Sequence, residues 1–155
     1  MLPTPSTWPQ GASTMAFNPE RHAPEVHARL DHAYRKGGGV VPPFEVWWQD
    51  LRGDAEYDPM LVFLAVDQGG VVIGVAQCWT SAFVKDLAVA EHWRRRGVGE
   101  ALLTHVFAAF QTRGAGHVDL KVEADNAAAL RLYGRLGLHS VAHQSIDRTG
   151  WWWAD

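Results

Sequence analysis

The sequence has 155 residues and a formal net charge of −3 at pH 7, so no overall basic charge favours nucleic acid as a partner. The single cysteine, Cys78, excludes an internal disulfide and is typical of a reducing compartment, which predicts a cytoplasmic protein. No apolar run approaches the ~20 residues that span a bilayer, and residues 1–17 lack the regions of a secretory signal. We therefore predict no membrane partner and a single domain.

The helical spacing of apolar residues predicts two helices in the first third of the chain, at 24–36 and 43–52. Residues 37–39, all glycine, end the first of them. We expect residues 1–20 to form a tail or a short first strand near 14–17, and 21–155 to form the domain proper.

Apolar runs of strand and helix type alternate through the rest of the chain. The turn at 67–70 predicts a hairpin between the first two runs, and Cys78 is expected to be a buried, unreactive thiol. We predict one α/β sheet, without repeats or a dividing linker. The predicted elements are strands at 60–66, 71–80 and 83–89, a helix at 98–113, a strand at 118–123, a helix at 126–136, and strands at 139–145 and 151–154.

An arginine- and glycine-rich bend joins the strand at 83–89 to the helix at 98–113. Gly97 and Gly99 let the backbone approach a ligand, and the first N–H groups of a helix are unpaired. Three arginines at 94–96 add charge suited to phosphate oxygens. The bend therefore predicts a pyrophosphate site, although a solvated arginine cluster with glycines that only turn the chain is the alternative. The spacing matches neither a P-loop nor a dinucleotide fingerprint.

A second pattern follows about 25 residues later in the sequence. The strand at 118–123 ends before Asp125 and Asn126, which are both good helix N-caps, and Gly137 is a C-cap candidate. Leu130 and Tyr133 are three residues apart and share a face of the predicted helix.

The two patterns together resemble the GCN5-related N-acetyltransferase superfamily over about residues 60–142. The second pattern is most similar to the ribosomal-protein N-terminal acetyltransferase branch, which does not define a substrate. The residues that carry the resemblance are Leu87-Ala88-Val89, Arg94-x-x-Gly97-x-Gly99 and Asn126-x-x-Ala129-x-x-x-Tyr133-x-x-x-Gly137-Leu138.

The resemblance implies one α/β domain with a mixed, mostly antiparallel sheet, splayed central strands and about four flanking helices. It also implies transfer of an acetyl group from acetyl-CoA to a primary amine on a small molecule, protein or peptide. The implied coenzyme-binding residues are Leu87, Ala88, Val89, Arg94, Arg95, Arg96, Gly97, Val98, Gly99, Glu100, Asn126 and Tyr133.

The resemblance further implies catalytic roles. The Val89 N–H would stabilise the oxyanion, and Tyr133, otherwise a core tyrosine, would be the general acid that protonates the leaving thiolate. Many relatives have an acid where this chain has Lys121, so the general base is open. Asp86 is the first candidate and Glu123 the second. Either residue could instead be an ordinary solvated carboxylate. A chain of water molecules could also remove the proton without a single essential base.

No metal site is expected, because the eight histidines do not converge at helical or strand spacing. A homodimer is also possible under the resemblance, and the tryptophans at 151–153 would then form its interface. Alternatively, both faces of that strand are covered within the domain, or the tryptophans form a wall of the acceptor pocket. Two other functions stay open. One is a non-catalytic domain that binds or senses acyl-CoA, and the other is an arginine surface for nucleic acid or protein.

Overall fold

Seven strands form a single sheet in the computed structural model, which describes residues 8–36, 38–123, 131, 138–144 and 149–154, with side chains up to Leu120 and at Arg131. Three α-helices are described. The elements are β1 (Ala12–Ala16), α1 (Pro19–Lys36), α2 (Phe44–Gly53), β2 (Val62–Asp67), β3 (Val72–Trp79), β4 (Phe83–Val89), α3 (Val98–Thr112), β5 (Val118–Glu123), β6 (Leu138–Gln144) and β7 (Thr149–Ala154).

The spatial order of the strands is β1-β2-β3-β4-β5-β7-β6. All neighbours pair antiparallel except β4 and β5, which are parallel. The predicted α/β class with a mixed, mostly antiparallel sheet is therefore confirmed. The helix predicted at 126–136 lies outside the described residues, apart from helical Arg131.

Each face of the sheet carries its own apolar cluster. Helix α3 packs on one face through a cluster that includes Leu102, Val106 and Phe107. Helices α1 and α2 pack on the other through Leu30 and Trp47, among others. Seven of the eight residues of β3 are buried because both faces of this strand are covered, which explains its continuous apolar run.

The predicted start of the first helix is wrong. Helix α1 begins at Pro19, five residues before the predicted start at 24, and Pro24 lies inside it. The Asn18 side chain accepts hydrogen bonds from the N–H groups of Glu20 and Arg21, at 3.2 and 3.3 Å. This N-cap satisfies early donors of the helix, and a proline at the first helical position needs no donor.

The short strand β1 lies at Ala12–Ala16, two residues before the predicted start, and it pairs with β2. The next strand begins at Val62 rather than at residue 60, because Pro59–Leu61 forms a 3₁₀ turn capped by Asp58. The hairpin between β2 and β3, strand β4 and strand β5 lie where the sequence predicts them.

Cys78 is fully buried in β3, which confirms the predicted environment of this thiol. Burial raises the pKa of the Cys78 thiol, and the charge of the Asp86 carboxylate raises it further. The folded state therefore favours the protonated thiol. Its contribution to the free energy of unfolding is fully present below the pKa of the thiol in the unfolded chain, and it is lost as the pH rises through the higher pKa of the folded state.

We expect Cys78 to react with Ellman's reagent at least about 1,000-fold more slowly in the folded protein than in denaturant at about pH 8, because reaction requires unfolding. Absorbance of the released thiolate measures both rates. Native protein that reacts as fast as a free thiol would contradict the buried position.

Candidate active site

Strands β4 and β5 pair only near their beginnings. The parallel ladder joins Phe83 to Asp119 and Val84 to Leu120, and no further pairs are recorded between these two strands. A gap therefore opens beyond Val84, beside the segment Leu87–Val89. The predicted splay of the central strands is present, and it leaves one edge of β4 without a strand partner.

The backbone of β4 determines which groups face this gap. The Ala90 N–H donates to the Ile73 carbonyl of β3, at 2.7 Å. Since N–H groups of successive residues in an extended chain point to opposite sides, the Val89 and Leu87 N–H groups point away from β3, toward the gap. The Val89 carbonyl also points to that side, where it accepts from the Arg94 Nε at 3.4 Å. Amide donors and acceptors thus line the gap.

The bend after β4 leads directly into the start of α3. Arg95 and Gly97 both adopt left-handed conformations, with φ of 62° and 91°. Gly97 is the N-cap of α3 and supplies no side-chain hydrogen bond to the first turn. A Cβ at Gly97 would have nothing within 4 Å, so the space in front of the helix is open. The N–H groups of Val98 and Gly99 begin the helix at this place.

The three arginines of the bend are exposed. Arg96 lies over the ring of buried Trp93, with its Cζ 4.0 Å from the centroid, and Arg94 lies along the end of β4. The bend thus carries three permanent charges directly before a helix N-terminus that has a positive partial charge of its own. This arrangement suits a diphosphate.

Asp86 lies on β4 where the gap begins, on the face covered by α1. Its side chain is only 4% exposed, so it is not a solvated carboxylate. The Tyr34 hydroxyl in the last turn of α1 donates to its Oδ1, and the Lys85 Nζ lies 3.1 Å from its Oδ2. Burial raises the pKa of the Tyr34 phenol, and the charge of Asp86 and the hydrogen bond to it raise it further. Tyr34 therefore stays a donor through the neutral range.

Local backbone geometry explains why Tyr34 reaches Asp86. The Gly39 N–H donates to the Tyr34 carbonyl at 2.7 Å and so closes the end of α1. A Cβ at Gly39 would lie 3.2 Å from the Tyr34 ring, so glycine lets the loop pack against this ring. On β4, a shift in register with β3 between Gln77 and Cys78 leaves Lys85 as an extra residue, and Asp86 then faces α1.

The remaining predicted site residues divide into two groups. Leu87–Val89 and residues 94–100 lie together along β4 and the start of α3. Glu123 lies three residues beyond the last β4–β5 pair, across the gap, and its side chain is outside the described residues. Tyr133 and Asn126 also lie outside the described residues, so their roles stay predictions.

Sequence reasoning missed Tyr34, Gln77 and Lys85 as neighbours of Asp86. By its spacing Tyr34 falls on the apolar stripe of α1, and spacing alone cannot show a hydroxyl partner 52 residues away. Gln77 is a lone polar residue in a long apolar strand, and this was an available signal.

Neither a membrane-spanning helix nor a metal cluster is present among the described residues. No helix among them is long and apolar enough to cross a membrane. Within the same ranges, no three His, Cys, Asp or Glu side chains are grouped so as to hold a metal ion.

Comparison with known proteins gives relatives of one kind. The chain is 36% identical over 98 residues to streptothricin acetyltransferase of Streptomyces lavendulae, which covers 57% of this chain and 52% of that protein. It is 43% identical over 56 residues to the ribosomal protein bS18-alanine N-acetyltransferase of Salmonella typhimurium, which covers 36% of this chain and 38% of that protein. The chain thus spans about half or less of the length of these curated relatives.

A solved structure extends the similarity to almost the whole chain. It is a GCN5-related N-acetyltransferase from Sphaerobacter thermophilus, with a TM-score of 0.77 and 28% identity, covering 98% of this chain and 47% of that one. The sequence profile of the acetyltransferase (GNAT) family matches residues 23–138. With this match over most of its length, the chain belongs to the acetyltransferase (GNAT) family.

Proposed function

We propose that this protein transfers an acetyl group from acetyl-CoA to a primary amine. The observation that carries the proposal is the continuous path from the open edge of β4 into the uncapped start of α3. The pantetheine arm of CoA contains amides that can pair with a strand edge, and its diphosphate suits a helix N-terminus that directly follows three arginines. Family membership supports the same cofactor.

In the proposed reaction the neutral amine attacks the thioester carbonyl carbon, so that a C–N bond forms and the carbonyl oxygen becomes an oxyanion. The Val89 N–H, which points into the gap, is suited to stabilise this oxyanion. The C–S bond then breaks, and Tyr133 donates its proton to the departing thiolate. The products are an N-acetyl amide and CoA.

We propose Asp86 as the group that takes the proton from the attacking amine. It is an acceptor-only side chain when ionised, it is shielded from solvent, and it lies one residue before the β4 edge. Glu123, across the gap, is the second candidate. The donor Tyr34 holds the Asp86 carboxylate in one orientation, which favours transfer in a fixed geometry.

We expect Asp86→Asn to lower kcat about 100-fold, because a positioned base typically contributes at least this factor. The Kd for acetyl-CoA, measured by calorimetry, should stay the same because the carboxylate is not part of the diphosphate cradle. The matched control is Asp50→Asn on the exposed side of α2, which should leave kcat unchanged. An unchanged kcat in Asp86→Asn would assign proton removal to Glu123 or to water.

A non-catalytic acyl-CoA-binding domain is the second candidate function. It is favoured by Lys121, which stands where many relatives have an acid. A thiol reagent that detects free CoA distinguishes the two functions, with acetyl-CoA and a broad panel of amines as substrates. Turnover with any amine supports the enzyme, whereas tight CoA binding without turnover across the panel supports the binding domain.

A further inference from the structure

Gln77 and Asp86 form a buried polar pair on adjacent strands. They are directly opposite each other in the β3–β4 register, so their side chains share the face of the sheet that α1 covers. Gln77 is 1% exposed and Asp86 is 6% exposed. The Gln77 Nε2 donates to the Cys78 carbonyl at 3.1 Å, but its Oε1 has no hydrogen-bond partner among the described residues. A buried amide oxygen without a donor is costly and calls for a partner.

Lys85 places a primary ammonium group beside this pair. Its Nζ lies 3.1 Å from the Asp86 Oδ2 and 5.7 Å from the centroid of the Trp79 ring. A carboxylate and the face of an aromatic ring both stabilise an ammonium ion in a protein. The site therefore already holds the functional group that an amine substrate carries, supplied by the chain itself.

The Lys85 side chain is 42% exposed, whereas the Asp86 side chain is 4% exposed. Its ammonium can therefore turn into solvent without disturbing the core, and a free ammonium ion can replace it on Asp86. The exchange keeps the buried carboxylate paired, because one ammonium ion replaces another on Asp86 while the half-exposed Lys85 regains its hydration in solvent. An ammonium that is not tethered to β4 can turn one of its three N–H donors toward the Gln77 Oε1, which the tethered Lys85 leaves without a partner.

We propose that Asp86, Gln77 and Trp79 form the ammonium subsite of the acceptor, and that Lys85 occupies it until a cationic amine displaces it. The inference rests on the proposed acetyl transfer and narrows its acceptor to amines that arrive protonated. Asp86 would first bind the ammonium and then take its proton. Lys85 is thus an internal competitor that sets how tightly the acceptor binds.

The test measures binding without turnover. Pentylamine, or the neutral isostere pentanol, is titrated into ¹⁵N-labelled protein saturated with CoA, and the shifts of the Trp79 indole N–H, which every variant below retains, give the Kd. In Lys85→Met, which keeps the apolar stem, pentylamine should bind about two- to fivefold more tightly because the competing ion pair is gone. Pentanol binding should not change.

Lys36→Met is the matched control, since Lys36 is also 42% exposed and also pairs with a carboxylate, that of Glu91. It should leave pentylamine binding unchanged. In the Lys85→Met background, Gln77→Leu should weaken pentylamine binding about threefold and Asp86→Asn at least about tenfold, in line with neutral and charged hydrogen bonds.

Equal pentylamine affinity in Lys85→Met and in the parent protein would overturn the proposal. An equal gain in Lys36→Met would also overturn it, because the effect would then come from net charge. Failure of acetyl transfer is a separate result: pentylamine that binds as expected but is never acetylated removes the proposed enzyme and keeps the ammonium subsite.

Discussion

Replacement of Tyr133 by phenylalanine is expected to lower kcat by about 100-fold or more, since this is the usual contribution of a positioned general acid. The phenol proton is what the CoA thiolate needs when the C–S bond breaks, and phenylalanine keeps the ring but removes this proton. The Kd for acetyl-CoA, measured by calorimetry, should change less than about twofold, because the lost interaction belongs to the transition state.

Tyr57→Phe is the control for this substitution. Tyr57 packs edge-on against Trp48 of α2, and its variant should keep the parent kcat. If Tyr133→Phe weakens acetyl-CoA binding by the same factor as it lowers kcat, the hydroxyl serves in docking, and proton donation must be assigned to another group.

Gly99→Leu is expected to abolish CoA binding while the fold survives. Gly99 lies in the first turn of α3, where a leucine side chain would occupy the space in which the diphosphate meets the backbone. Loss of two charge-assisted hydrogen bonds, each worth roughly 1.5–3 kcal/mol, corresponds to a Kd that rises at least about 100-fold. Calorimetric titration with CoA gives the affinity, and circular dichroism checks the fold.

The control is Gly116→Leu, in the exposed turn between α3 and β5. A Cβ there would have nothing within 4 Å, so this variant adds the same side chain away from the bend. It should bind CoA like the parent. Unchanged affinity in Gly99→Leu would contradict the placement of the diphosphate and with it the proposed cofactor.

Local signals in the sequence were enough to predict much of the fold. The sequence predicts strand β4 with its observed bounds because its run of strand-type residues leads directly into the arginine bend, and the turn residues predict the β2–β3 hairpin. The start of α1 was missed because Pro24 suggested a first helical position. In fact Pro19 holds this position, and the Asn18 cap before it stabilises the longer helix.

One part of the candidate site is predictable from the sequence and another part is not. The bend at 94–99 was recognisable because arginines, glycines and a helix start are adjacent in sequence. The surroundings of Asp86 were not, since they depend on a contact with Tyr34 across 52 residues and on a register shift that turns Asp86 toward α1. Contacts of this kind depend on how distant elements pack, and the spacing of residues in the sequence does not predict them.

The short seam between β4 and β5 has a consequence for the protein in the cell. Two residue pairs join the halves of the sheet, so the backbone N–H and carbonyl groups of β4 beyond Val84 that face β5 have no strand partner. Under the proposed function, the coenzyme's pantetheine takes the place of that missing strand. A ligand at 100 times its Kd stabilises a fold by about 2.7 kcal/mol. The lifetime of the folded protein would then depend on the concentration of coenzyme A. A shortage of the coenzyme would lower the amount of folded enzyme as well as its activity.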